Sequence, residues 1–263
     1  MKFKLFYWPI LTSIWIILTF IITYVVSVGL KIVYPLFPYI SETGAYPPAS
    51  SVFGVLLNFG ALFAGIIFYI RYRQVDIALK TGKANLSQRW NTAGFWLGNV
   101  IALGICLVAN FQSDTSPDGT KFVLLTHVVG ALMAFGIGVF YMILQTRIAF
   151  GLLPVYKEFP EYQTGMRILY FRIFLTILFF VFFLGTFVGA SLAGKDFEGD
   201  EGVWWTSEDG GYPAHLVSTF SEWLMVFVFI IYVLTMEKEF KCIKFGGICF
   251  KNKCSPYKNV LQH

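Results

Sequence analysis

Residues 173–192 read IFLTILFFVFFLGTFVGASL, a run without a single charged side chain. A helix rises about 1.5 Å per residue, so this stretch matches the ~30 Å hydrocarbon core of a bilayer. Five more stretches qualify: Pro9–Leu30, Val52–Ile70, Ala93–Asn110, Phe122–Leu144 and Leu216–Thr235. The whole chain agrees with them. It is 57% hydrophobic and 13% charged, with 29 phenylalanines among 263 residues, and its mean hydropathy is +0.67. A soluble domain carries about 25% charge, so lipid must solvate much of this surface. The reading is an all-α polytopic membrane protein: a six-transmembrane-helix bundle over residues 1–236 and a basic tail over 237–263. The first stretch is too long for a signal peptide and lacks a small-residue cleavage site, so it reads as a retained helix.

Lys and Arg decide the orientation. The N-terminus holds Lys2 and Lys4, and the second connection holds Arg71, Arg73, Lys80, Lys83 and Arg89. The fourth holds Arg147, Lys157, Arg167 and Arg172, and the tail holds Lys238, Lys241, Lys244, Lys251, Lys253 and Lys258. Of the 20 basic residues only Lys31, Lys121 and Lys195 fall on the other side. Both termini are therefore expected in the cytoplasm. The net charge of +5 is a topology signal in this arrangement, and nucleic acid is not an expected partner. The four cysteines include no CxxC pair and predict neither a zinc site nor a disulfide framework.

The outer loops differ. Residues 39–48, Tyr-Ile-Ser-Glu-Thr-Gly-Ala-Tyr-Pro-Pro, read as an ordered turn. Lys195–Pro213 is acidic around Trp204 and Trp205 but has no EF-hand spacing, so its tryptophans read as interface anchors. Small residues recur at Ala61/Gly65, Gly94/Gly98, Gly130/Ala134/Gly138 and Gly185/Gly189, a spacing that lets helices approach closely, within one bundle or between subunits. No internal duplication is visible, and no charge run suits a pump or a voltage sensor.

Polar residues within spans are costly and need a reason. Asn58, Asn99, Asn110, His127 and Glu222, with His215 above it, are the cases. At ~1.5 Å per residue, Asn58, His127 and Glu222 lie about 10 Å below the outer surface. Asn110 and His215 lie nearer to it. His215, Ser218 and Glu222 share one helical face, and His127 shares a face with Gly130/Ala134/Gly138. Three readings stay open. The layer is a self-satisfied polar cluster, a cavity for a polar group such as a lipid head group, or a Glu–His acid–base pair acting on an ester. No GxSxG or HExxH motif supports the last. The geometry expected is Glu222 meeting His127 or His215, with Asn58 close to the same cavity.

Three strings resemble the damage-regulated autophagy modulator (DRAM) family. They are PYISETGAYPPASSVFGVLLNFGA, HVVGALMAFGIGVFYMILQT and HLVSTFSEWLMVFVFIIYVLT, in family order. The signature positions fall on Ser41, Glu42, Thr43, Gly44, Asn58, His127, Gly130, His215, Glu222 and Trp223. The resemblance implies a six-span protein of endolysosomal or plasma membranes, with the ER as alternative. Its relatives are linked to autophagy, lipid organisation and mechanosensitive currents, and distant ones to remodelling of GPI-anchor lipids. The expected role is non-enzymatic: binding or organising lipid as a component or regulator of lipid movement. No cofactor is expected beyond a bound phospholipid. The partners are membrane lipids and a membrane-protein partner or lipid-transport complex. The rivals are a lipid-remodelling enzyme using Glu222 with His127 or His215, and a channel-like subunit.

The tail alternates bases with apolar residues, which favours anionic lipid at ~1 kcal/mol per basic residue. Cys242, Cys249 and Cys254 are either S-acylation sites or free thiols. Tyr257-Lys258-Asn259-Val260 fits a sorting signal. Asn85-Leu86-Ser87 is a glycosylation sequon on the side expected to be cytoplasmic.

Overall fold

The computed structural model describes residues 4–113, 121–159, 164–197 and 203–244. Six helices are long and apolar enough to cross a membrane, and no strand occurs among the described residues. They are α1 (Tyr7–Gly29), α2 (Ala49–Leu79), α3 (Gln88–Asn110), α4 (Lys121–Gly151), α6 (Met166–Asp196) and α7 (Tyr212–Leu234). Two short helices, α5 (Leu153–Glu158) and α8 (Glu237–Phe240), lie on the face where the described residues begin at Lys4 and end at Lys244, called the terminal face below. The opposite face carries the loop between α1 and α2 and is called the loop face below.

Several helices outrun the apolar stretches that announce them. The second stretch ends at Ile70, yet α2 continues to Leu79, and α6 begins seven positions before Ile173, at Met166. A helix satisfies its own backbone and need not stop where hydrocarbon stops. The added turns carry Arg71, Gln74 and Arg172, all buried. Long stretches of the outer surface remain apolar. Val25 is 61% exposed, Trp96 63% and Phe122 70%, as expected where lipid is the solvent.

Small residues bring the helices together inside this one chain. A Cβ placed on Gly104 of α3 would come within 2.6 Å of the Ala134 amide and 2.7 Å of the Gly130 carbonyl of α4. On α6, Gly189 lies against Ala214 and Ser218 of α7, and Gly185 against Ser221. Gly94 faces Gln145 of α4 and Gly98 the ring of Phe68 on α2. Three of the four stripes thus serve packing within the bundle, whereas Gly65 of the fourth has nothing within 4 Å of a Cβ. Where α4 passes Gly104 it contains a π turn, Leu132–Gly136, which rotates the two halves of the helix relative to each other.

The interior is layered. Near the loop face, Phe20, Ile40, Phe53, Leu57 and Ala109 form one apolar cluster. Ile67, Phe68, Tyr141, Phe179, Met225, Tyr232 and Phe240 belong to a larger one toward the terminal face.

Candidate functional site: a strapped loop above an apolar cavity

The loop between α1 and α2 tightens into a single 3-10 turn at Glu42–Gly44. Two consecutive residues of α7 hold it. A carboxylate oxygen of Glu222 accepts the Ile40 amide at 2.6 Å, and the Trp223 indole donates to the Pro38 carbonyl at 3.0 Å. The Trp223 ring also stands edge-on to Phe20 and Tyr24 of α1. The turn then closes on itself and on α1. Glu42 accepts the Tyr39 amide at 3.0 Å. Thr43 Oγ1 donates to the Ile40 carbonyl at 2.6 Å, and Ser27 donates to the Thr43 carbonyl at 2.5 Å. Gly44 fits beneath the Phe53 ring, where a Cβ would collide. The Ser-Glu-Thr-Gly string is therefore a strap that joins the first and last spans.

The strap is dry. Glu42 is 6% exposed and Thr43 1%. Burial pushes the Glu42 carboxyl well above the usual carboxylate range; the Tyr39 amide opposes this, and the nearby Glu222 charge adds to it. Burial likewise raises the Tyr39 phenol, against a hydrogen bond with Ser218.

Beneath the strap runs a cavity of about 130 Å³. Its walls are largely carbon: Ile16 and Phe20 of α1, Leu57 and Ala64 of α2, Ile105 of α3, Phe179 of α6, and Val226 and Phe229 of α7. At its loop-face end Ser41, His127 and Glu222 line it. Thr12 and Ser13 line it as well; Ser13 bonds its own helix at the Pro9 carbonyl, whereas the buried Thr12 hydroxyl has no partner among the described residues.

The polar layer expected from depth thus divides into three. Ser41, His127 and Glu222 share the cavity, but no hydrogen bond or ion pair joins Glu222 to either histidine among the described residues. His127 Nδ1 lies 2.7 Å from the Phe111 carbonyl. A carbonyl can only accept, so Nδ1 carries the proton and Nε2 of the neutral ring is left as acceptor. His215 is stacked on Trp205 at 4.3 Å between ring centroids, with Tyr39 edge-on at 5.1 Å. It sits seven residues before Glu222, two helical turns or about 10.5 Å along the axis, too far for the pairing expected. Sharing a helical face does not bring these two side chains into contact. Ser218 serves the same aromatic nest and donates to the Thr186 carbonyl of α6. Asn58 and Asn110 form a reciprocal amide pair at 3.1 and 3.0 Å between α2 and α3. Neither lines the cavity.

A second buried polar group, on the terminal face, was not legible in the sequence. Glu239 of α8 receives Arg71 of α2 at 3.0 Å and Arg172 of α6 at 2.9 Å, and Tyr156 of α5 at 2.7 Å. Arg172 also donates to the side chain and carbonyl of Thr235. Arg71 donates to Gln145 and Gln74. The sequence reading takes both arginines as orientation signals and gives Glu239 no role. Charge beside an apolar run carries no mark of whether it turns inward. Of the acylation candidates, Cys242 is half-buried; Cys249, Cys254 and the Tyr257 signal lie outside the described residues, as does part of the acidic loop.

A family description, the Frag1/DRAM/Sfk1/Cwh43P N-terminal domain, matches residues 4–243. The chain belongs to this family. DNA damage-regulated autophagy modulator protein 2 of Mus musculus is 37% identical over 238 residues, covering 89% of this chain and 83% of its own. DNA damage-regulated autophagy modulator protein 1 of Homo sapiens is 32% identical over 235 residues, covering 89% and 90%. Modulator of macroautophagy TMEM150B-B of Xenopus laevis is 38% identical over 118 residues, 45% of this chain. No solved structure matches the chain. Within this DRAM-family chain, the resemblance strings have a physical meaning: two of the three meet at the strap, and His127 of the third lines the cavity below it.

Proposed function

We propose that this DRAM-family protein modulates autophagy by holding membrane lipid, with an acyl chain in the central cavity and a polar group at its loop-face end. The observation that carries this reading is the cavity itself: its lining is mostly carbon, with polar side chains at Ser41, His127 and Glu222 and again at Thr12 and Ser13 of α1. An acyl chain has the matching chemistry, since a carbon-lined space gives nothing to water or to an ion. The names of its relatives, autophagy modulators, support the cellular setting. In this reading the protein acts in endolysosomal or plasma membranes, with the ER as alternative, beside a membrane-protein partner or lipid-transport complex.

The rival reading, a Glu–His pair working on a lipid ester, has less behind it. Glu222 is engaged by a backbone amide, His127 Nδ1 by a carbonyl, and His215 by an aromatic nest. The test is lipid retention. Protein extracted into nanodiscs and stripped of bulk lipid should keep a bound lipid by native mass spectrometry. Ala64→Phe, which fills the cavity wall, should lose it and fail to restore autophagic flux in depleted cells. Equal lipid on both proteins would overturn the proposal.

A further inference from the structure

The charges at the loop-face end of the cavity restrict the polar group that a lipid can place there. Among the described residues no lysine or arginine lines the cavity, and its one acidic side chain is Glu222. A second carboxyl, Glu42, lies close enough for its proton affinity to respond to Glu222. Two strap amides beside them are already committed: Tyr39 donates to Glu42 and Ile40 to Glu222. A phosphate leaves water only where positive charge or several free donors receive it. This end presents carboxyl groups instead, and repulsion between like charges is strong at low dielectric.

What this end offers is acceptors. Glu222 gives one oxygen to the Ile40 amide at 2.6 Å and keeps the other. Ser41 follows Ile40 in the chain, so the bond that fixes Ile40 on Glu222 also fixes Ser41 close to that carboxyl, and both line the cavity. His127 lines it from α4, with Nδ1 committed to the Phe111 carbonyl and Nε2 left as acceptor. Toward the terminal face the lining of α7 is carbon alone, at Val226, Phe229, Ile230 and Val233. From Glu222 to Val233 the helix rises about 16 Å, which is room for an apolar body below a small polar end.

We infer that the ligand of this cavity is an uncharged lipid whose polar end is a free hydroxyl donating to Glu222, rather than a phosphate ester. The inference rests on the lipid reading above and names the class of lipid. One O–H matches the acceptors of Glu222 and His127, and its oxygen can accept from the Ser41 hydroxyl. Diacylglycerols and sterols both carry this chemistry.

The test uses full-length protein in phosphatidylcholine nanodiscs. Two photoactivatable lipids carry a diazirine in the same acyl chains, one a diacylglycerol and the other the corresponding phosphatidic acid. Labelled peptides are located by mass spectrometry. A hydrogen bond to a charged group changes affinity about tenfold or more, so diacylglycerol should label the cavity wall about tenfold more than phosphatidic acid does. Unlabelled diacylglycerol should compete. Cholesterol as competitor separates the sources: if it competes, sterols share the site, and if it does not, the site is for glycerolipid; either result keeps the hydroxyl requirement. The methyl ether of an effective competitor, which cannot donate, should fail to compete.

Glu222→Gln keeps an oxygen for the Ile40 amide but turns a donor toward the cavity. Its preference for diacylglycerol over phosphatidic acid should vanish while residues 38–45 stay protected from hydrogen exchange, an outcome that a purely structural Glu222 would not produce. If Glu222→Gln fails to fold, the wild-type preference decides alone. Equal cavity labelling by phosphatidic acid and diacylglycerol in the wild type would overturn the inference and leave the lipid reading standing, and a preference unchanged by Glu222→Gln would do the same. No cavity labelling by either lipid would overturn both.

Discussion

Arg172 and Glu239, 67 positions apart in sequence, meet at 2.9 Å with neither side chain exposed to solvent. Removing one partner of such a pair strands the other charge, at about 3–5 kcal/mol. Glu239→Gln should therefore unfold well below wild type in thermal melts of the nanodisc protein. Glu239→Asp keeps the charge and should lie between them. A Glu239→Gln protein as stable as wild type would refute the view that this carboxylate holds α8 against α2 and α6.

The strap makes a sharper distinction. Glu222→Gln keeps an oxygen for the Ile40 amide, whereas Glu222→Ala orphans a buried donor at about 1–3 kcal/mol. Hydrogen exchange across residues 38–45 should stay slow in Glu222→Gln and accelerate in Glu222→Ala. Equal protection in both variants would show that the Glu222 bond does not hold the loop.

Glu42 should give the fold a pH dependence. Its buried carboxyl titrates well above the usual range, so the folded state holds that proton more tightly than the unfolded chain does. The associated stability is complete below the ordinary glutamate value of about 4.3 and is lost as pH rises toward the raised value. The wild-type melting temperature, relative to that of Glu42→Gln, should fall as pH is taken from about 5 to about 8. A constant difference would show that Glu42 is not protonated by burial.

Gly104 and Gly65 test the helix contacts as a pair. A methyl group at Gly104 meets backbone of α4 at Ala134 and Gly130, whereas one at Gly65 meets nothing within 4 Å. Gly104→Ala should cost about 1–3 kcal/mol through overpacking. Gly65→Ala should be neutral or stabilising by up to about 1 kcal/mol. Melts of the two variants side by side will decide.

The side of the membrane is checked at Asn85, whose amide bonds the Gly151 carbonyl on the terminal face. The positive-inside rule predicts that this face is cytoplasmic. Its sequon should stay bare, with no mobility shift on glycosidase treatment and none caused by Asn85→Gln. Tags at Met1 and His263 should both be shielded from reagents added to intact cells.

The spans are legible because hydrocarbon imposes a length and a composition that few sequences meet by accident. Glu222 and His127 stand out for the same reason: polarity at depth needs a partner. What they touch is not legible. Glu222 binds the Ile40 amide, 182 positions away, and a backbone group leaves no mark in an amino-acid code. His215 appeared to share a site with Glu222 because the two lie on one helix face, while the two turns between them separate their contacts. Glu239 was hidden by its setting among Lys238, Lys241 and Lys244, where an acidic residue looks solvated until Arg71 and Arg172 are seen beneath it.

Both clamps on this bundle close on its last-made part. The strap waits for Glu222 and Trp223, and the two arginines wait for Glu239. During synthesis the first five spans must therefore remain in the bilayer with Ile40 unheld and Arg71 and Arg172 without their carboxylate. A ribosome that stops after α6 would release a chain marked at both membrane faces by unmatched polar groups, the kind of mark by which quality control separates unfinished membrane proteins from finished ones.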